Sequence, residues 1–348
     1  MTIANLQKCH IAEFHTDNWI AKAKNDGPLT YYKGDLKNYK EVLEYMLSTQ
    51  CLVDVDKPIP ERNPRFGCWK GDVTTWETFD EGCQAKALGV LLCLYKNEPA
   101  LRGVTVSVNG RVRGLGGAIL DAINALEFSQ YTQPGGLPFP GKLTFSGIPG
   151  FWPQAPGWKK RECIFPEIAH LRTLNDGVHD QNLEAIVMYR EVFGDPQGLH
   201  LKRILLGAFG MAFLQMANDG YIPEQFHPHG EPAWGRGHEP PSYTPRAMGY
   251  ALLTYIIAHA VTQDKQPLLL GNMQRGIIAP LAQTPDMQFE HFLELKTLRP
   301  IWGKRDHPFE ITYNRSEAEW PSKPHGVLDV VTKGMIAKYD YYVSLLGT

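Results

Sequence analysis

The chain lacks a long apolar run: nowhere does it approach the roughly 20 consecutive apolar residues of a membrane-spanning helix. It lacks a dominant charge, since 35 Lys+Arg against 37 Asp+Glu leave a formal −2 over 348 residues. No overall basic field therefore exists to bind nucleic acid or an anionic membrane, and a polyanionic ligand would have to meet a local basic cleft. The six cysteines, Cys9, Cys51, Cys68, Cys83, Cys93 and Cys163, show no C-x-x-C pairing, so they read as small buried side chains, not a zinc site or a disulfide scaffold. The start, Met1 to Asn25, mixes Lys, His, Asp and Glu among its apolar residues and does not read as a signal peptide. Strand-like alternation is scarce, confined to short pieces such as Gly103–Val108, which argues against a domain built on a parallel sheet.

What is present is helical periodicity. Asp80–Lys96, Gly114–Tyr131, Gly177–Phe193, Leu199–Ala217, Pro245–Thr262, Gln266–Ala282 and Val327–Leu346 are predicted helices. In Pro245–Thr262 and Asp80–Lys96 apolar residues run almost all round the axis, as in helices buried on several sides. Between the helices run loops rich in Gly, Pro, Trp and His: Pro58–Trp76, Thr132–Trp158, Ile222–Tyr243 and Leu298–Pro324. Loops this long are usually functional or disordered, and their aromatic content argues for order. The pattern predicts helices packed on helices in a single domain, with the long loops gathered into one cleft.

Two loops share a plan. Phe66-Gly-Cys-Trp-Lys precedes Thr78-Phe-Asp80, and Gly150-Phe-Trp-Pro-Gln precedes Thr173-Leu-Asn-Asp176. Thr and Asp often only cap helices, but the duplication favours a site shared by two helix starts. Asp80, Glu81 and Asp176 are hard oxygen donors of the kind calcium takes, while an Asp at a helix N-terminus is also stabilised by the backbone dipole alone. Trp234-Gly-Arg236-Gly-His238-Glu239-Pro-Pro-Ser242 holds an Arg in a constrained loop, where an ion-pair partner or an anion clamp is the first reading. Arg299, Lys304 and Arg305 surround Trp302 in a local basic patch that interleaves Pro and Ile, unlike an ordinary solvated charge run. Trp69, Trp76, Trp152, Trp158, Trp234 and Trp302 are candidates for stacking on sugar rings, with about half expected in the cleft and the others in the core.

Read in order, these segments resemble the motif series of the polysaccharide lyase family ten pectate lyases. Gly67-Cys68-Trp69-Lys70 is similar to the family's Trp-Pro-Lys loop, Thr78-Phe79-Asp80-Glu81 to its Thr-x-Asp-Asn, and Phe151-Trp152-Pro153-Gln154 to its Gly-Trp-Pro-Gln. Thr173-Leu174-Asn175-Asp176 resembles its Thr-Phe-Asn-Asp, and Gly235-Arg236-Gly237-His238-Glu239-Pro240-Pro241-Ser242 its Ala-Arg-Ala-Tyr-Glu-x-Pro-Ser. Leu298 through Asp306 resembles its Asn-Arg-Pro-Ile-Phe-x-x-Arg-Asp. The series spans about Gly67 to Asp306.

The resemblance implies an all-α fold, an incomplete alpha/alpha toroid with a long substrate groove, in a secreted or periplasmic monomer. It implies calcium-assisted β-elimination on polygalacturonate or a related acidic polysaccharide. Arg236 is the implied base, Asp176 a calcium ligand joined by Asp80 and Glu81, and Arg305 a carboxylate clamp. Lys70, Asp80, Arg299, His291, Trp69 and Trp152 are implied on the substrate side. An Arg base, with a reference pKa above roughly 12, favours alkaline pH. Glu81 stands where the family has Asn, His238 where it has Tyr and His291 where it has Arg. The competing functions are a helical-toroid glycoside hydrolase using Asp80 or Glu81 with Asp176, and a uronate-binding protein without turnover.

Overall fold

The computed structural model describes residues 38–58, 66–69, 81–130, 148–152, 173–174, 178–223, 225–226, 242–243, 245–283, 293–294 and 326–346. Helices account for most of them: α1 Tyr39–Thr49, α2 Glu81–Asn97, α3 Leu115–Ser129, α4 Val178–Phe193, α5 Leu199–Ala217, α6 Pro245–Thr262, α7 Gln266–Gln283 and α8 Gly326–Leu345. A 3-10 turn, Pro99–Gly103, follows α2. The predicted helices stand within two residues of these bounds; α1 was not predicted.

Alternate helices form a row. α2 packs on α4, α4 on α6 and α6 on α8, while each intervening helix, α3, α5 or α7, packs against the helix before it and the helix after it. The sequence explains which helices occupy the row. In α6, Met248, Ala251, Leu252, Leu253, Tyr255, Ile256, Ile257 and Ala258 are all buried, covering every side of the axis, and α2 buries Ala85, Ala87, Leu88 and the run Val90 to Leu94 likewise. The intervening α5 keeps one face exposed, including Phe209 and Met216. One hydrophobic cluster takes in side chains from α1 through α8.

The row helices run parallel. Lys96 near the end of α2 pairs with Glu191 near the end of α4 at 2.6 Å. Met335 in the middle of α8 lies against Gly249 near the start of α6, and Tyr342 meets His259 near the end of α6 with ring centroids 5.9 Å apart. α5 runs back along α4: His200 at its start contacts Tyr189 near the end of α4, and Gly207 further along contacts His179 at the start.

Strands are short antiparallel pairs. β1 Thr105–Val108 and β2 Arg111–Gly114 make a hairpin closed by Asn109 and Gly110, both at positive φ (50° and 77°), the two-residue turn that matches strand twist. β3 Thr173–Leu174 pairs with β4 Gln225–Phe226, and β5 Ser242–Tyr243 with β6 Leu293–Glu294. No helix among the described residues is long and apolar enough to cross a membrane. Among the described cysteines Cys68 and Cys93 are buried, as expected of small core side chains, and Cys51 is half-buried.

Candidate functional site

Because the row helices are parallel, the long segments that precede α2, α4, α6 and α8 all arrive at one end of the row. The short pairings tie them there. β3–β4 joins the segment before α4 to the segment before α6, and β5–β6 joins the latter to the segment before α8. All the motifs singled out in the sequence fall in these segments or at the helix starts they feed.

Two of the segments are fixed by the same clamp. In the first, Gln50 caps α1 and its Nε2 donates to the carbonyls of Gly67 (2.8 Å) and Ala118 of α3 (3.0 Å). In the second, Gln130 caps α3 and its Nε2 donates to the carbonyls of Gly150 (2.9 Å) and Arg203 of α5 (3.0 Å). Gly67 and Gly150 have φ of +80° and +98°, and each lies so close to a helix carbonyl, of Asp121 or Leu206, that no Cβ fits. The indole N–H of Trp69 donates to the Met46 carbonyl (2.9 Å) and that of Trp152 to the Leu126 carbonyl (2.8 Å). The shared plan of the two loops is thus a duplicated three-part lock of Gln, Gly and Trp.

The lock corrects the roles expected of Trp69 and Trp152 as sugar platforms. Both are fully buried and satisfied by backbone, so in this structure neither offers a face to a ligand; they anchor the loops to the outer helices. Glu81 opens α2; its side chain lies outside the described residues, as do Lys70, Asp80, Asp176, Arg236, His291, Arg299 and Arg305. By sequence Lys70 follows Trp69 directly, Asp80 precedes α2, and Asp176 is two residues before α4.

The structure adds a feature that sequence reasoning missed. The first two turns of α4 bury His179, Asp180, Asn182 and Glu184 completely. Asp180 and Glu184 each have a partner. Neither amide atom of Asn182 has a hydrogen-bond partner among the described residues. His179 sits against Phe151 and Trp152 of the second lock, with ring centroids 4.3 and 5.5 Å away. Its Nε2–H donates to the Gly207 carbonyl at 3.0 Å, leaving Nδ1 as a buried acceptor. Burial holds this imidazole neutral, its pKa lowered to about 3 against the opposing effect of the Gly207 carbonyl. The signal was in the string His179-Asp180-Gln181-Asn182-Leu183-Glu184, polar all round at the start of a helix with apolar neighbours on several sides. Buried charge of this kind is costly unless paired, and it concentrates at functional sites.

Among the described residues no group of three or more His, Cys, Asp and Glu side chains is arranged to hold a metal ion; the expected ligands Asp80 and Asp176 lie outside them. Comparison with known protein families, curated proteins and solved structures finds no match to the chain.

Proposed function

We propose that the chain is a polysaccharide lyase that cleaves polygalacturonate or a related uronate polymer by calcium-assisted β-elimination, within an incomplete alpha/alpha toroid. The observation that carries the reading is the convergence of the long segments on one end of a parallel helix row, because a catalytic groove needs motifs distant in sequence to meet. The ordered motif resemblance supplies the chemistry. Calcium fits the donor set: Asp80, Glu81 and Asp176 are hard carboxylates at or beside the starts of α2 and α4, neighbouring helices that start at the same end.

The bound cation supplies positive charge that neutralises the uronate carboxylate and so acidifies the carbon-five proton alpha to it. Arg236 removes that proton, and the glycosidic oxygen leaves from carbon four, forming a carbon four–carbon five double bond. Arg305 grips the carboxylate through its planar fork, with Arg299 and Lys70 adding charge and His291 standing where the family has a further Arg. Asp80 serves as a calcium ligand or on the substrate side. Trp69 and Trp152 act from below by fixing their loops.

The deciding experiment is ultraviolet absorbance during digestion of polygalacturonate with calcium and with chelator. The expected result is a rise in absorbance from unsaturated ends, lost with chelator and lost in Arg236→Ala with polymer binding retained. Reducing ends without absorbance would indicate a hydrolase instead, and binding without turnover a silent uronate-binding protein.

A further inference from the structure

The outer surface of α5 carries an apolar stripe that nothing in the described chain covers. Lys202, Leu205, Phe209, Phe213 and Met216 follow one another in steps of three and four and so share one face. The apolar members are 40%, 60%, 37% and 67% exposed. α7 lies alongside, joined through Gln215, whose Nε2 donates to the Leu270 carbonyl at 3.4 Å, and it adds Leu269 at 63% and Met273 at 59%. The four apolar residues of α5 leave on the order of 450 Å² uncovered, at the scale of a typical monomer's largest patch (~300–600 Å²), and Leu269 and Met273 add apolar area toward the ~800 Å² each partner contributes to a standard interface.

We infer that this face binds a second copy of the chain, α5 packing antiparallel on its two-fold mate. The charges select that partner. Lys202, near the start of α5, and Asp219, two residues past its end, are both exposed and equally far in sequence from the point between Gly210 and Met211. Neither makes an ion pair with another described residue. A two-fold axis through that midpoint brings Lys202 of each copy to Asp219 of the other, whereas parallel packing would set like charges together. The spacing of the stripe is that of a helix seam that receives another helix. The pairing departs from the monomer that the family resemblance implies, and it uses the intervening helices, not the row ends that carry the starts of α2, α4, α6 and α8.

Sedimentation velocity of the full chain over about 1–100 µM tests the inference, an interface of this size and composition being expected to associate in that range. A concentration-dependent monomer–dimer equilibrium is expected. Phe209→Asp, at an exposed position that leaves the core intact, should weaken the dimer by about 100-fold, as loss of a central aromatic anchor does. Lys202→Asp or Asp219→Lys should weaken it about tenfold, and the two together should recover most of the loss. Circular dichroism checks that each variant is folded. A monomer at every concentration, a dimer indifferent to Phe209→Asp, or a double reversal no better than either single one would overturn the proposal. In the monomer case, flotation with anionic vesicles, or protection of the thiol in Phe209→Cys, would assign the face to a lipid surface or to another segment of the chain.

Discussion

The two locked loops share a scaffold and differ in what stands behind it. In both, a capping glutamine, a glycine pressed on a helix carbonyl and a buried tryptophan hold the loop at the same place on consecutive helical hairpins. Behind the first, Gln84 grips both backbone polar atoms of Trp69, accepting from its N–H at 2.6 Å and donating to its carbonyl at 2.7 Å, on a helix whose other described buried side chains are Ala, Leu, Val and Cys. Behind the second stand His179, Asp180, Asn182 and Glu184. Among the described residues only the second loop has four buried polar side chains behind it, and each costs free energy unless matched. The difference marks the start of α4 as the place to probe.

The largest effects should come from the shared scaffold. Gly67→Ala and Gly150→Ala each force a Cβ into a helix carbonyl at a positive φ. Each should cost on the order of 3–5 kcal/mol or prevent folding, measured by urea denaturation. Gly110→Ala is the control: its φ of +77° is also left-handed, but nothing lies near its Cβ, so it should cost only about 1 kcal/mol. Similar losses at Gly67 and Gly150, both well beyond the control, would sustain the equivalence of the two loops; a mild effect at either would break it.

Next comes the feature that distinguishes the second loop. His179 is held neutral in the fold at pH values where the unfolded chain protonates it, with a folded pKa of about 3. Between the unfolded value near 6.5 and that folded value the unfolded state binds more protons, so stability falls as pH falls. By pH 4.5 this one group should remove roughly 2–3 kcal/mol. His179→Gln keeps an amide N–H for the Gly207 carbonyl and does not titrate. Its stability relative to wild type should rise steadily from pH 7 to pH 4.5, and a constant gap across that range would show that the imidazole is not held neutral.

The glutamines differ more finely. The Oε1 of Gln50 accepts from Arg113 Nη2 at 2.5 Å, and Arg113 is itself paired with Asp121 at 2.8 Å, whereas the Oε1 of Gln130 is buried with no hydrogen-bond partner among the described residues. Replacing either by Ala strands two carbonyls, but only Gln50→Ala also removes the acceptor facing a cation. Gln50→Ala should therefore cost about 1 kcal/mol more than Gln130→Ala in the same denaturation assay. Equal costs would mean that the Arg113 contact adds nothing.

How far these features could be read from sequence follows from the range of the interactions that make them. Helices such as Leu199–Ala217 and Pro245–Thr262 are legible because periodicity is local, and their observed bounds equal the predicted ones. α1 also carries a local signal, an N-cap: the Asn38 side chain accepts from the Glu41 N–H at 3.1 Å and its amide donates to the Glu41 carboxylate at 3.0 Å. The likeness of the two Trp loops was visible as a pattern, but the glutamines that lock them lie 17 and 20 residues away, and their carbonyl partners on α3 and α5 further still. The same limit explains Trp69 and Trp152. An indole in a Gly-rich loop reads alike whether it stacks on a sugar or on the core, and only the packing of α1 and α3 decides.

The smallest effect belongs to the far end of the second hairpin, where a second histidine has the opposite electrostatics. His200, at the start of α5, meets Glu127 of α3 through Nδ1 at 2.5 Å and lies near Asp195. Its pKa is raised, first by the hydrogen bond to Glu127 and then by the charges of Glu127 and Asp195, against the effects of burial and Arg190. A raised pKa means that the folded state binds the proton more tightly than the unfolded state. The stabilisation is therefore complete below about pH 6.5 and is lost as pH rises through the folded value. Because the pair is partly solvated, its contribution should stay below about 1 kcal/mol. His200→Gln should be less stable than wild type at pH 5.5 and approach it by pH 9, with the gap at low pH shrinking in high salt. The two histidine variants thus have pH profiles of opposite slope: His179→Gln gains on wild type as the solution is acidified, and His200→Gln loses. A His200→Gln profile parallel to that of His179→Gln would mean that His200 is held neutral as well, and the contrast between the two ends of the hairpin would disappear.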